Sequence, residues 1–298
     1  MYAHRVIEDL RMLAKTSESQ NEFHELCARL TPLIKESQKF HLGSVDKNNL
    51  IEKYSGTRLF DDPAQERVRF PYQNVWIDWN DNSSKPFCDI QSQKIYVKKY
   101  AIHIYTLNEK HHNIFLYHYN EETQKRESPI NNMWVLFPIC FNLHYCDEHK
   151  NFLVEVASLK LSGNVLPGNV IKLMAQEANR ELTVINMFLD LLTCKNIDTI
   201  DHEPPAKLNK SRKKKGKCPI FTYKTLVIKP TSKKQKEQEA QGLWNNRIHL
   251  CRGHFKEYTE EKPLFGKFTG RYWWQPSVRG KNKKGVVMKD YKVETEAK

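Results

Sequence analysis

Apolar residues recur at helical spacing in two stretches at the start of the chain: Val6, Ile7, Leu10 and Leu13, then Phe23, Leu26, Cys27 and Leu30. Positions three and four apart share one helix face, so both stretches predict amphipathic helices. Pro32 lacks the amide hydrogen that a helix interior needs, which predicts that the second helix weakens there. A shorter helix is expected over residues 46–54, with Ser44 or Asp46 as its N-cap. Between Val68 and Leu159 the pattern changes to short runs rich in Val, Ile, Tyr and Trp, broken by Asn, Asp and Ser. Strands are expected at 74–79, 95–99, 102–106, 114–119, 133–139 and 152–158, and six strands at that spacing predict a largely antiparallel sheet. After Pro167-Gly168 the clearest helix of the chain is expected over 170–192, ending at 194–196. Leu173, Met174, Leu182, Ile185, Phe188, Leu189 and Leu192 supply its core face.

Glu203-Pro204-Pro205 interrupts regular structure, and the run from Lys207 to Lys217 reads as a basic linker or arm. Residues 221–228 alternate as a strand does. Residues 231–241 are polar and read as a mobile loop. Three more strands are expected at 248–258, 271–278 and 286–293, with Gly266, Gly270, Gly280 and Gly285 between or beside them. The chain therefore reads as α+β. A helical and antiparallel-sheet body over 1–200 leads through a Pro/Lys-rich arm, 201–217, into a basic, mostly antiparallel β module, 218–298.

Composition narrows the class. Hydrophobic residues make up 39% of the 298, enough to bury a core, while 28% charged residues demand a very polar surface. The longest apolar run, 133–143, contains Pro138 and Asn142 and falls well short of the ~20 residues a spanning helix needs. The charged opening segment lacks the apolar stretch of a secretory signal. Seven cysteines spread over so long a chain do not form a disulfide framework, which points to a reducing cytoplasm.

Charge changes the picture most. Residues 206–298 hold 25 Lys/Arg against 8 Asp/Glu, whereas 1–205 hold 23 against 27. A basic third on a mildly acidic body suits a polyanion partner, because clustered cations gain by releasing phosphate counterions. Trp244, Tyr258, Tyr272, Trp273, Trp274 and Tyr291 fall within that third, so part of it should fold rather than serve as a solubilising tail.

The densest chemical cluster is Arg247-x-His249-x2-Arg252-Gly253-His254-x-Lys256. In an extended chain Arg252, His254 and Lys256 share one face and His249 takes the other, unless a bulge at Gly253 changes the register. Histidine exchanges protons near neutral pH, and Arg and Lys neutralise phosphorane-like charge without a metal. The same kit serves a phosphate-binding strand that does no chemistry. Lys289 and Tyr291 share a face further on, and Arg279 closes the strand that contains Trp273. Trp273 and Trp274 face opposite sides of it, one for packing and one for stacking on a base. Cys140-x3-His144-x-Cys146-x2-His149 places four potential ligands in ten residues, but the spacing is not that of a zinc site. Neither a metal nor a cofactor is expected. Walker, GxGxxG, HExxH and GxSxG motifs are absent, which removes the usual support for nucleotide hydrolysis, dinucleotide redox and serine esterase chemistry.

The string Pro204-Pro205-Ala206-Lys207-Leu208-Asn209, Arg212, Gly216-Lys217, Pro219 and Phe221-x-Tyr223 resembles a family of uncharacterised proteins of tailed phages and prophages. So does Arg247-x-His249-x2-Arg252-Gly253-His254, followed by Trp273-Trp274, Val278-x-Gly280, Gly285-Val286 and Lys289-Asp290-Tyr291. The resemblance covers about the last 95 residues and implies a phage setting in the bacterial host cytoplasm. A fainter, fold-level similarity is to barnase, EndoU, colicin and RelE-type ribonucleases, whose four-stranded sheets carry His, Arg, Lys and Tyr; residues 221–293 would supply the four strands.

Three functions are consistent with these readings. The first is nucleic-acid binding (RNA or DNA) by a phage accessory or regulatory protein, through Lys207, Lys210, Arg212, Lys213, Lys214, Lys215, Lys217, Arg247, Arg252, His254, Lys256, Arg279 and Lys289. The second is a metal-independent endoribonuclease with His249 or His254 as acid or base, assisted by Arg252, Lys256 and Tyr291. The third is an inhibitor that binds an acidic host protein.

Overall fold

Helices α1 (Ala3–Thr16) and α2 (Gln20–Glu36) form where the apolar spacing expects them, with Val6, Ile7, Leu10, Phe23, Cys27, Leu30 and Ile34 turned inward. The computed structural model describes residues 1–16, 20–45, 70–81, 88–90, 93–95, 99–120, 132–146, 151–159, 166–228, 249–251, 254–274 and 277–279. Residues 46–54, 231–241 and 286–293, read above as helix, loop and strand, lie outside them. Helix α2 runs through Pro32 rather than weakening there. Pro32 is exposed, and the turn beyond it buries Ile34 and closes with a bond from the Ser37 amide to the Leu33 carbonyl, 3.0 Å.

An eight-stranded sheet forms the centre. Its members are β1 (Gln38–Val45), β2 (Asn74–Asp81), β5 (Lys99–Asn108), β6 (His111–Asn120), β7 (Met133–Cys146), β8 (Asn151–Ser158), β9 (Ile197–His202) and β10 (Tyr223–Ile228). A small hairpin, β3 (Cys88–Ile90) and β4 (Gln93–Ile95), stands apart. The order across the sheet is β8-β7-β6-β5-β2-β1-β10-β9. Neighbours from β2 to β8 are antiparallel as expected, but β1 is parallel to both β2 and β10, so the sheet is mixed. The fold class is α+β.

Central strands are buried on both faces. Trp76 joins Ala101, Tyr117, Trp134 and the inner residues of α1 and α2 in one core. On the opposite face Phe188 of α3 (Gly168–Leu192) meets the Phe40 ring edge-on at 4.8 Å. Strand β1 was not expected because polar Lys39 and His41 flank its buried Phe40. Lys39 is buried, donating to the carbonyls of Lys35 (2.9 Å) and Ser37 (2.7 Å) and lying 4.4 Å over the Phe221 ring. Such partners are what allow an ammonium inside.

The arm expected over 201–217 is ordered. Strand β9 ends at His202, and helix α4 (Ala206–Lys214) starts directly after Pro204-Pro205. Pro205 is suited to a helix start, where no amide donor is needed. Gly216, at φ +66°, ends the helix: the Lys217 amide bonds Arg212 O at 2.9 Å and the Gly216 amide bonds Lys213 O at 3.1 Å, a Schellman pair.

The chain divides into two compact units, Met1–Asp190 with Thr199–Leu226, and Leu191–Asp198 with Val227–Lys298. The sequence boundaries at 200 and 217 do not coincide with these, because α4 and most of β10 fold with the body. In the second unit β11 (His249–Cys251) pairs antiparallel with β14 (Ser277–Arg279), and β12 (His254–Tyr258) with β13 (Gly270–Trp274). Phe255 packs on Trp273 at 4.7 Å, and Asn196 brackets the Trp273 backbone with bonds of 2.6 and 2.8 Å. The four strands drawn from 221–293 do not form one sheet among the described residues, since β10 pairs with β1 instead. No helix among the described residues is long and apolar enough to cross a membrane.

Candidate nucleic-acid interface

Six lysines, Lys207, Lys210, Lys213, Lys214, Lys215 and Lys217, stand exposed along α4 and the turn after it. Arg212, grouped with them on sequence, has a different job. Its Nη2 bonds Glu8 Oε1 of α1 at 2.8 Å and its Nε bonds the Cys218 carbonyl at 2.8 Å, while the Cys218 amide donates to the same Glu8 oxygen. Its side chain is 17% exposed. Asn209 adds a two-way bond to the Ile220 backbone, 2.9 and 2.8 Å. The helix is thus clamped to the body through its uncharged and guanidinium side chains, which leaves the ammonium groups outside. Basic residues in the last turn also suit the helix C-terminus.

Burial, with Arg212 and Arg5 close by, lowers the His4 imidazole to about 4, so it adds no charge beside α4 at neutral pH. Burial also pushes the Cys218 thiol up, which keeps it a neutral packing group.

In the second unit Lys256 is exposed, its Nζ 4.9 Å over the Tyr258 ring. His254 lies opposite Trp274 in the β12–β13 ladder, and His249 opposite Arg279 in the β11–β14 ladder. Arg247, Arg252, Gly253, Lys289 and Tyr291 lie outside the described residues. Trp273 and Trp274 fall on opposite faces of β13, and Trp273 is the one that packs on Phe255. Cys140 is buried in β7, and burial raises its thiol. Among the described residues no three of His, Cys, Asp and Glu come together as a metal site; His149 lies outside them.

One constellation was not anticipated. Asp78 of β2, completely buried, accepts His41 Nδ1 of β1 at 2.5 Å, the Tyr2 amide at 2.7 Å and the Trp76 indole N–H at 2.9 Å. Tyr2 Oη donates to Asn80 Oδ1 at 2.6 Å, and burial followed by the Asp78 charge raises its phenol. Next to His41 come Tyr223 of β10, ring centroids 6.1 Å apart, and then His202 of β9, stacked on Tyr223 at 4.8 Å. No local motif announces this row, whose members come together only across the sheet. The one sequence signal is Trp76-x-Asp78 inside an apolar strand, since a carboxylate there requires donors from elsewhere. Compared with protein-family models, curated proteins and solved structures, the chain matches none.

Proposed function

We propose that this chain binds nucleic acid, with the lysine face of α4 as its principal phosphate contact. The observation that carries this reading is the clamp. Six like charges within eleven residues repel one another, and among the described residues none of the six is in an ion pair. A fold that anchors such a helix through Arg212 and Asn209 holds its ammonium groups ready for a polyanion, at a cost that phosphate binding offsets. The exposed Lys256 of the second unit extends the same chemistry. The C-terminal resemblance to tailed-phage proteins supports an accessory or regulatory role in an infected bacterial cell.

The test replaces Lys207, Lys210, Lys213, Lys214, Lys215 and Lys217 by Gln and keeps Arg212. Binding to labelled single-stranded and duplex oligonucleotides is measured against salt. The log–log slope should flatten by roughly 0.7 units per lost contact on a single strand and roughly 0.9 on a duplex. An unchanged slope removes α4 from the interface.

A further inference from the structure

His41 pairs its Nδ1 with the buried Asp78 carboxylate at 2.5 Å. The Asp78 carboxylate already holds two other N–H donors, so its position is fixed from three sides. A neutral His41 that donates Nδ1–H to it must carry its lone pair on Nε2. The imidazole is 20% exposed while its carboxylate is completely buried, so the dyad is anchored at one end and open at the other. Among the described residues Nε2 has no hydrogen-bond partner.

The second histidine lies two strands away on the same sheet. His202 is half-buried, its Nε2 bonded to Thr225 Oγ1 at 2.8 Å, and Tyr223 separates it from His41. Adjacent strands are about 4.8 Å apart, which puts the two backbones about 10 Å from each other. An in-line phosphoryl displacement, with hydrogen bonds of about 2.8 Å to its attacking and leaving oxygens, spans a similar length. Helix α4 opens four residues after His202, so its lysines belong to the same unit and follow directly on the histidine row.

We propose that His41 and His202 form a metal-independent RNA-cleaving site, a proposal that rests on the nucleic-acid reading above and narrows it to RNA. His41 Nε2 takes the proton of a ribose 2′-hydroxyl. O2′ forms its bond to phosphorus as the P–O5′ bond breaks, and protonated His202 gives its proton to the departing O5′. The products are a 2′,3′-cyclic phosphate and a 5′-hydroxyl end. No electrons are exchanged, no co-reactant is needed, and the two histidines return to their starting states by proton exchange with water. Asp78 is a positioning residue: it holds the tautomer and stabilises the imidazolium that forms.

The experiment incubates the full chain, in EDTA, with a labelled mixed-sequence RNA and with the same sequence as DNA, and measures binding by anisotropy in parallel. RNA should be cut and DNA left intact, with cyclic phosphate ends. His41→Ala and His202→Ala should each lower the rate by ~10²–10⁴ while affinity stays within about threefold. Asp78→Asn should lower the rate without weakening binding. Should that buried change unfold the chain, His41→Gln keeps a polar partner for Asp78 and must still abolish cleavage. RNA that is bound in a salt-dependent way but never cut overturns the site and leaves the binding function standing. Cleavage that survives both His41→Ala and His202→Ala but is lost in His249→Ala or His254→Ala also overturns it. Absence of RNA binding at any salt removes both readings.

Discussion

His103 is completely buried in β5, its ring 6.4 Å from Trp76 and 6.1 Å from Phe115, and neither ring nitrogen has a partner among the described residues. Burial, followed by the nearby Lys39 charge, lowers it to about 3. His4, His112 and His118 are lowered to about 4, each chiefly by burial. In the unfolded chain such rings take a proton near 6.5. The unfolded state therefore binds more protons between the two values. The associated stability is complete above about pH 6.5 and is lost as pH falls toward 4, at up to about 1.4 kcal/mol per pH unit for a fully buried ring such as His103. Urea midpoints should drop from pH 7 to pH 5, and His103→Leu should reduce that drop with little loss at pH 7, since no hydrogen bond is given up. An unchanged pH dependence in His103→Leu would show that His103 titrates normally in the fold. These inward polar residues, with Lys39, His41 and Asp78, are what the sequence conceals. The apolar face of α1 declares itself by spacing, but a buried histidine or lysine is visible only once its neighbours from other strands are in place.

Among the elements, those carried by a single clear period were legible, and those carried by polar residues were not. The spacing of Val6, Ile7 and Leu10 and the short runs rich in Val, Ile, Tyr and Trp in β2, β6 and β8 locate α1 and most of the sheet. Strand β1 escaped because the buried Lys39 and the half-buried His41 flank Phe40, and with it went the parallel pairing that brings β10 into the body. Helix α4 escaped because lysine runs read as solvated linker, although Pro205 at one end and Gly216 at the other mark a helix's limits. Its stability lies in the clamp and not in the charges. Arg212→Ala should cost about 1–3 kcal/mol, by removing a charge-assisted bond to Glu8 and one to the Cys218 carbonyl. Lys213→Gln should change stability by no more than about 0.5 kcal/mol, as exposed substitutions do. Thermal or urea unfolding of the two variants separates the roles; equal effects would refute the division between the clamp and the lysine face.

At the level of the whole molecule, positive charge is shared by both units. Residues 206–228 hold 8 Lys/Arg and no Asp/Glu, and residues 229–298 hold 17 Lys/Arg against 8 Asp/Glu. The sequence draws the interface from both groups, and the structure shows the smaller group anchored through Arg212 and Asn209. A chain ending at Ile228 distinguishes the two. It keeps the eight-stranded sheet, α4 and the histidine row, and loses the bond from the Lys195 amide to the Arg271 carbonyl and the two between the Asn196 side chain and the Trp273 backbone. Those lost bonds lie between Leu191 and Asp198, outside the sheet core, so the shortened chain should still unfold cooperatively. Its binding to a labelled oligonucleotide should keep at least half of the full chain's salt slope, up to about 5 units if all six lysines touch phosphate. A slope that falls below about 1 would instead place the phosphate contacts in residues 229–298, and α4 would then be a helix whose charges serve solubility.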